Sequence, residues 1–128
     1  MKICYTERMN VRDVWKHGAL IDLWTLVHIL SGALLGVAAS WIGFSFLTSL
    51  ILAFLLLIAW EAYEWLLGIL ESPANVASDL VFGTLGFLAM THFVHDGPPG
   101  IAEAGALILV LVALAGWGFR DLFVHGYR

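Results

Sequence analysis

Four stretches of this chain are each as long and as apolar as a helix that crosses a bilayer, and little other architecture fits them. A helix needs roughly 20 mainly apolar residues to cross the hydrocarbon core. The stretches run over about 19–41, 44–67, 76–94 and 101–119. Gly43 and Ser45 mark the first turn between them, Ser72 and Pro73 the second. Pro73 suits a first helical position, where its missing N–H has no intrahelical partner to lose. Gly97, Pro98, Pro99 and Gly100 break the chain before the last stretch. The predicted fold class is therefore all-α. It is a single integral membrane bundle of about four transmembrane helices occupying residues 1–128, with both termini cytoplasmic.

Composition agrees. Charged residues make up 12% of the chain and hydrophobic ones 61%, with mean hydropathy +0.91. Soluble domains carry about 25% charged residues. A net charge of −4 provides no basic field for nucleic acid. Cys4 is the single cysteine, which excludes an internal disulfide and a zinc site built on several thiolates. Cys4 reads as a plain thiol, with lipidation as the alternative.

The first residues, 1–18, are polar and mixed in charge, unlike a cleaved signal peptide, so the first apolar stretch is expected to remain as an anchor. Lys2, Arg8, Arg12 and Lys16 precede that stretch, and Arg120 and Arg128 follow the last, while the three connections hold no Lys or Arg. Cytoplasmic flanks carry such an excess, so both ends face the cytoplasm, as an even number of spans requires. The loop at Glu71–Pro73 is then cytoplasmic and the Gly-Pro loop external. Val11, Val14, Trp15 and Gly18 fall to one side of a helical segment, with Arg8, Arg12 and Lys16 at four-residue intervals. That pattern suits a helix lying at headgroup level, and a disordered tail is the equal alternative.

Small residues mark the packing faces. Gly32, Gly36 and Ser40 recur every fourth residue in the first span, and Gly83 and Gly86 share a face of the third, allowing close backbone approach. Trp15, Trp24, Trp41, Trp60, Trp65 and Trp117 fall mostly near span ends, as in an aromatic belt.

The polar residues inside the spans carry the functional question. A charged group at the centre of a bilayer costs about 2.5–3.5 kcal/mol on insertion scales. His28 lies in the first span. Glu61 and Glu64 share a face of the second, and Glu71 continues that stripe to the membrane edge. Asn75 and Asp79 share a face at the start of the third, and Asp22 and Thr25 lead to His28. At 1.5 Å per residue, His28 lies roughly 10 Å inside the cytoplasmic edge, Glu61 and Glu64 roughly 5–9 Å, and Asp79 roughly 5 Å. Three antiparallel helices thus offer an imidazole, carboxylates and a carboxamide at similar depth. The fourth contributes none.

These acids cannot all be ionised without a proton, a histidine partner or a cation. The set His28, Glu61, Glu64, Asn75 and Asp79 suits an oxygen-rich divalent metal site, with Glu61 or Glu64 as ligand or general base. Such a metal could act on a lipid-like substrate at the cytoplasmic leaflet. The Glu-x-x-His unit of di-iron bundles is missing, as are a Ser-His-Asp arrangement and any Lys or Arg within the spans. Two other readings stay open. One is a structural or accessory membrane subunit whose polar network locks the helices. The other is a proton- or ion-coupled transporter, which with so few helices would need a homo-oligomer. His92, His95 and Asp96 form a weaker cluster at the end of the third span, where histidine is also favoured by the helix dipole. His17 and His125 read as exposed flanks.

The run His28-x-x-x-Gly32, Glu61-x-x-Glu64-Trp65 and Asn75-x-x-x-Asp79-x6-Gly86 resembles the core of the YjdF-like family of small bacterial inner-membrane proteins. A looser likeness is to VanZ-like membrane proteins. The likeness covers about 22–94. It implies a multi-pass protein of the inner membrane in which His28, Glu61, Glu64 and Asp79 act together, and it implies no particular reaction. The YjdF-like pattern has Asp where this chain has Asn75, one negative charge fewer.

Overall fold

The computed structural model of the chain describes residues 3–4, 21–67, 69–94, 97 and 99–125. Four helices dominate it: α1 (Leu23–Ile42), α2 (Phe46–Leu66), α3 (Pro73–Phe93) and α4 (Ile101–His125). Each includes a stretch long and apolar enough to cross a membrane. Two short strands accompany them, β1 (Ile3–Cys4) and β2 (Ile69–Leu70), paired in parallel with Ile3 opposite Ile69. The proposed headgroup-level helix before the first span lies outside the described residues.

Each helix start has a local cause. Asp22 caps α1: its Oδ1 accepts from the N–H groups of Trp24 and Thr25 at 2.8 and 3.2 Å. Thr25 Oγ1 answers by accepting from the Asp22 N–H at 3.3 Å, completing a capping box. Ser45 caps α2 by accepting from the Thr48 N–H, and Ser72 caps α3 by accepting from the Asn75 N–H, with Pro73 in the first turn. Helix α1 ends at Gly43, whose φ of +78° is the left-handed conformation that glycine adopts at least cost.

Helices α1 and α3 form the tightest pair. A Cβ added to Gly32 would fall on the Gly83 carbonyl oxygen, and one added to Gly86 would fall on the Ile29 carbonyl oxygen. Backbones this close gain dispersion contacts that bulkier residues would prevent, which is how membrane helices associate where lipid removes the hydrophobic driving force. Gly36 meets Met90 in the same seam. Ser40 instead donates to Val37 of its own helix at 2.6 Å. Helix α2 closes over the seam, with Leu57 set in the notch above Gly83, where an added Cβ would be 2.8 Å from Leu57 Cδ2.

Helix α4 packs on α1. Trp24 and Val27 are buried against Leu111, Leu114, Ala115 and Phe119, and the Trp24 and Phe119 rings meet edge-on at 5.1 Å. At the other end of α1, Trp41 Nε1 donates to the Pro99 carbonyl at 3.1 Å. The tryptophans therefore divide. Trp41, Trp65 and Trp117 are exposed, as belt residues are, whereas Trp24 is 1% exposed and belongs to the interior.

Candidate metal centre between three helices

Helix α1 brings His28, α2 brings Glu61 and α3 brings Asp79, so that one ligand atom from each lies within 4.8 Å of the other two. The seam explains how they meet. His28 is one turn before Gly32, Asp79 one turn before Gly83, and Glu61 one turn after Leu57 on the antiparallel helix. Gly32 and Gly83 meet backbone to backbone, and Leu57 sits against Gly83. The three candidate ligands therefore sit one helical turn from a common contact, which fixes their separation.

His28 is 2% exposed and its Nδ1 lies 2.9 Å from the Trp24 carbonyl oxygen. A carbonyl only accepts, so Nδ1 carries the hydrogen. Nε2 then holds a lone pair whenever the ring is neutral. It faces Glu61 Oε1 at 2.9 Å, with the two side chains 3% and 9% exposed. The two atoms lack the alignment of a hydrogen bond. Two buried acceptors this close repel unless a proton or a cation sits with them. Adjacent ligands bound octahedrally at about 2.0–2.1 Å are themselves roughly 2.9 Å apart. The pair thus has the spacing of an ion pair with a protonated ring, and equally that of two donors on one ion.

Asp79 is fully buried. Its Oδ1 accepts from the Thr25 hydroxyl at 3.1 Å and lies 3.8 Å from His28 Nδ1, and its Oδ2 accepts from the Asn75 amide at 2.6 Å. The same amide nitrogen donates to Glu71 Oε2 at 3.1 Å. Asn75 thereby joins two carboxylates through its nitrogen, as a donor between acids. Glu61 also belongs to a second group, with Glu64 and Glu71, whose ligand atoms lie within 4.8 Å of one another. Glu64 is 2% exposed and Glu71 half-buried, so the acids lead from the rim of the bundle to its interior.

All five residues singled out in the sequence as ligands lie in this region. Among the described residues, neither group draws on α4. Two contributors were not counted as site residues. Thr25 stands three residues before His28 on the same face, and Glu71 lies beyond the end of α2, between β2 and the start of α3, rather than on a continuous helical stripe with Glu64. Of the weaker cluster, His92 is exposed in the last turn of α3, and His95 and Asp96 lie outside the described residues.

The donated hydrogen bonds make the amide of Asn75 the suitable group at this place. In Asn75→Asp, two donated hydrogen bonds are replaced by a third carboxylate, a cost on the order of 3 kcal/mol. The variant is expected to unfold several degrees below the wild type in metal-free detergent solution and to recover when a divalent cation is added. A calorimetric scan with and without Mn2+ measures this.

Compared with models of protein families, with curated proteins and with solved structures, the chain has no match.

Proposed function

We propose that this chain is a multi-pass membrane protein that holds a divalent cation between its first three helices. His28 Nε2, Glu61 and Asp79 are the ligands. Glu64 and Glu71 are the outer carboxylates along which the ion reaches them, and Asn75 is the donor that holds Asp79 and Glu71. The observation that carries the reading is the approach of His28 Nε2 and Glu61 Oε1 to 2.9 Å, with Nδ1 already committed to the Trp24 carbonyl. One imidazole among carboxylates suits Mn2+, Fe2+ or Zn2+ better than a soft ion that prefers sulfur.

The positive-inside bias of the flanks supports cytoplasmic termini and a site in the cytoplasmic half of the bilayer. The likeness to YjdF-like proteins supports a bacterial inner membrane. Holding or passing an ion fits the site better than chemistry on a lipid. A catalytic metal keeps a coordination position open to substrate, whereas here the three ligand side chains are 0–9% exposed.

Elemental analysis of protein purified in detergent is the test. About one equivalent of a divalent transition metal is expected in the wild type. Glu61→Gln, which keeps shape and removes charge, should lower affinity by at least tenfold. Background metal in the wild type, together with no thermal shift on adding Mn2+, Fe2+ or Zn2+, would sink the proposal.

A further inference from the structure

We infer that Glu61, Glu64 and Glu71 hold a second divalent cation beside the first, with the Glu61 carboxylate bridging the two ions. The inference rests on the metal reading above and adds an ion to it. The side chains fall into two groups rather than one: His28 with Glu61 and Asp79, and Glu61 with Glu64 and Glu71. Within each group the ligand atoms lie within 4.8 Å of one another. Opposite ligands of a single hard cation are roughly 4–5 Å apart. Each group therefore has the span of one ion's ligand shell, and the two together have room for two ions.

Glu61 makes the second group more than a run of acids. Its side chain is 9% exposed, and its Oε1, facing His28 Nε2, has no hydrogen-bond partner among the described residues. A buried carboxylate in that condition calls for a cation or a proton. The same carboxylate stands in the outer group. With two oxygens and about four lone-pair positions, an ionised carboxylate can bind two ions at once. Two-metal centres place their ions about 3.5–4 Å apart, a spacing that one carboxylate bridges.

Asn75 ties the groups a second time. Its amide nitrogen donates to Asp79 Oδ2 of the inner group at 2.6 Å and to Glu71 Oε2 of the outer group at 3.1 Å. Each of these bonds takes one lone pair of its oxygen and leaves the other for a metal. The carboxylates of the two groups, Glu61, Glu64, Glu71 and Asp79, also match the charge of two divalent ions. The outer group reaches Glu71, half-buried between β2 and α3, so its ion exchanges with solvent more readily than the inner one. The inner ion therefore stays through purification, and the outer ion is seen on titration.

Mn2+ is the probe, because a bridged pair of these paramagnetic ions gives a coupled spectrum that isolated ions do not. Full-length protein in detergent is titrated by calorimetry and followed by electron paramagnetic resonance, for the wild type, Glu71→Gln and Glu61→Gln. Glutamine at position 71 keeps a carbonyl oxygen to accept from the Asn75 amide. The wild type should bind about two equivalents in two steps and develop the coupled signal with the second. Glu71→Gln should lose the coupled signal and weaken the second step at least about tenfold more than the first. Glu61→Gln should weaken both steps by at least about tenfold. A wild type with one step only, or with a second ion that shows no coupling, overturns the inference and leaves the metal reading standing. So does a Glu71→Gln variant that keeps the coupled signal or loses both steps alike. A wild type that binds no Mn2+ overturns both.

Discussion

Gly32→Val is expected to force α1 and α3 apart and to cost the protein its folded state or most of its stability. The added Cβ would fall on the Gly83 carbonyl oxygen and lie 3.0 Å from the Phe87 nitrogen. Both are backbone atoms, so no rotamer change relieves the clash. Overpacking a well-filled interior costs about 1–3 kcal/mol, and more where backbone must move. The largest values are expected here, because the seam is the closest contact in the bundle. Gly36→Ala meets Met90 Cβ at 2.9 Å and the Phe87 carbonyl oxygen at 3.2 Å, a milder overlap, and should lose less. Gly105→Ala enters open space and should be neutral. Size-exclusion profiles and thermal melts of the three variants give the ranking, and a Gly32→Val melt matching the wild type would refute the close approach.

The second large effect is a reversal between single and paired substitutions. His28→Leu leaves Glu61 buried without its nearest partner, and Glu61→Leu does the same to His28. Breaking a buried charged pair costs about 3–5 kcal/mol, whereas replacing both members with apolar groups is often neutral or stabilising. The double variant His28→Leu/Glu61→Leu should therefore melt above either single variant. A chelator adds the discriminating comparison. An ion at a hundred times its Kd contributes about 2.7 kcal/mol to the folded state, so EDTA should lower the wild-type melting temperature and leave the double variant unmoved. Equal indifference to EDTA in both proteins would indicate a polar network that only locks helices.

The four helices were legible because span length and turn residues are strong local signals, and the shared depth of His28, Glu61 and Asp79 followed from rise per residue along alternating helices. Rotation about each helix axis was harder to read. In a bilayer the lipid-facing side is as apolar as the packed side, so an apolar stripe does not reveal which way a helix faces. Trp24 shows the consequence: near a span end it reads as a belt residue, yet it is buried against Phe119 and supplies the carbonyl that holds His28. Thr25 was hidden for a different reason. A hydroxyl is at home in many environments, and its partner Asp79 is 54 residues away. The double role of Asn75, which lies four residues from both Glu71 and Asp79, needed side-chain directions that spacing alone does not supply. The strand pair of Ile3–Cys4 with Ile69–Leu70 had no signal at all, being two residues long on each side.

The contact among Gly32, Gly83 and Leu57 is expected to act as a pivot. Membranes differ in thickness, and spanning helices answer by tilting. Helices joined most tightly at one level tilt about that level, so their far ends sweep widely while groups one turn from the pivot barely move. His28, Glu61 and Asp79 occupy that sheltered position. An ion held there is expected to bind with the same affinity in thin and in thick membranes.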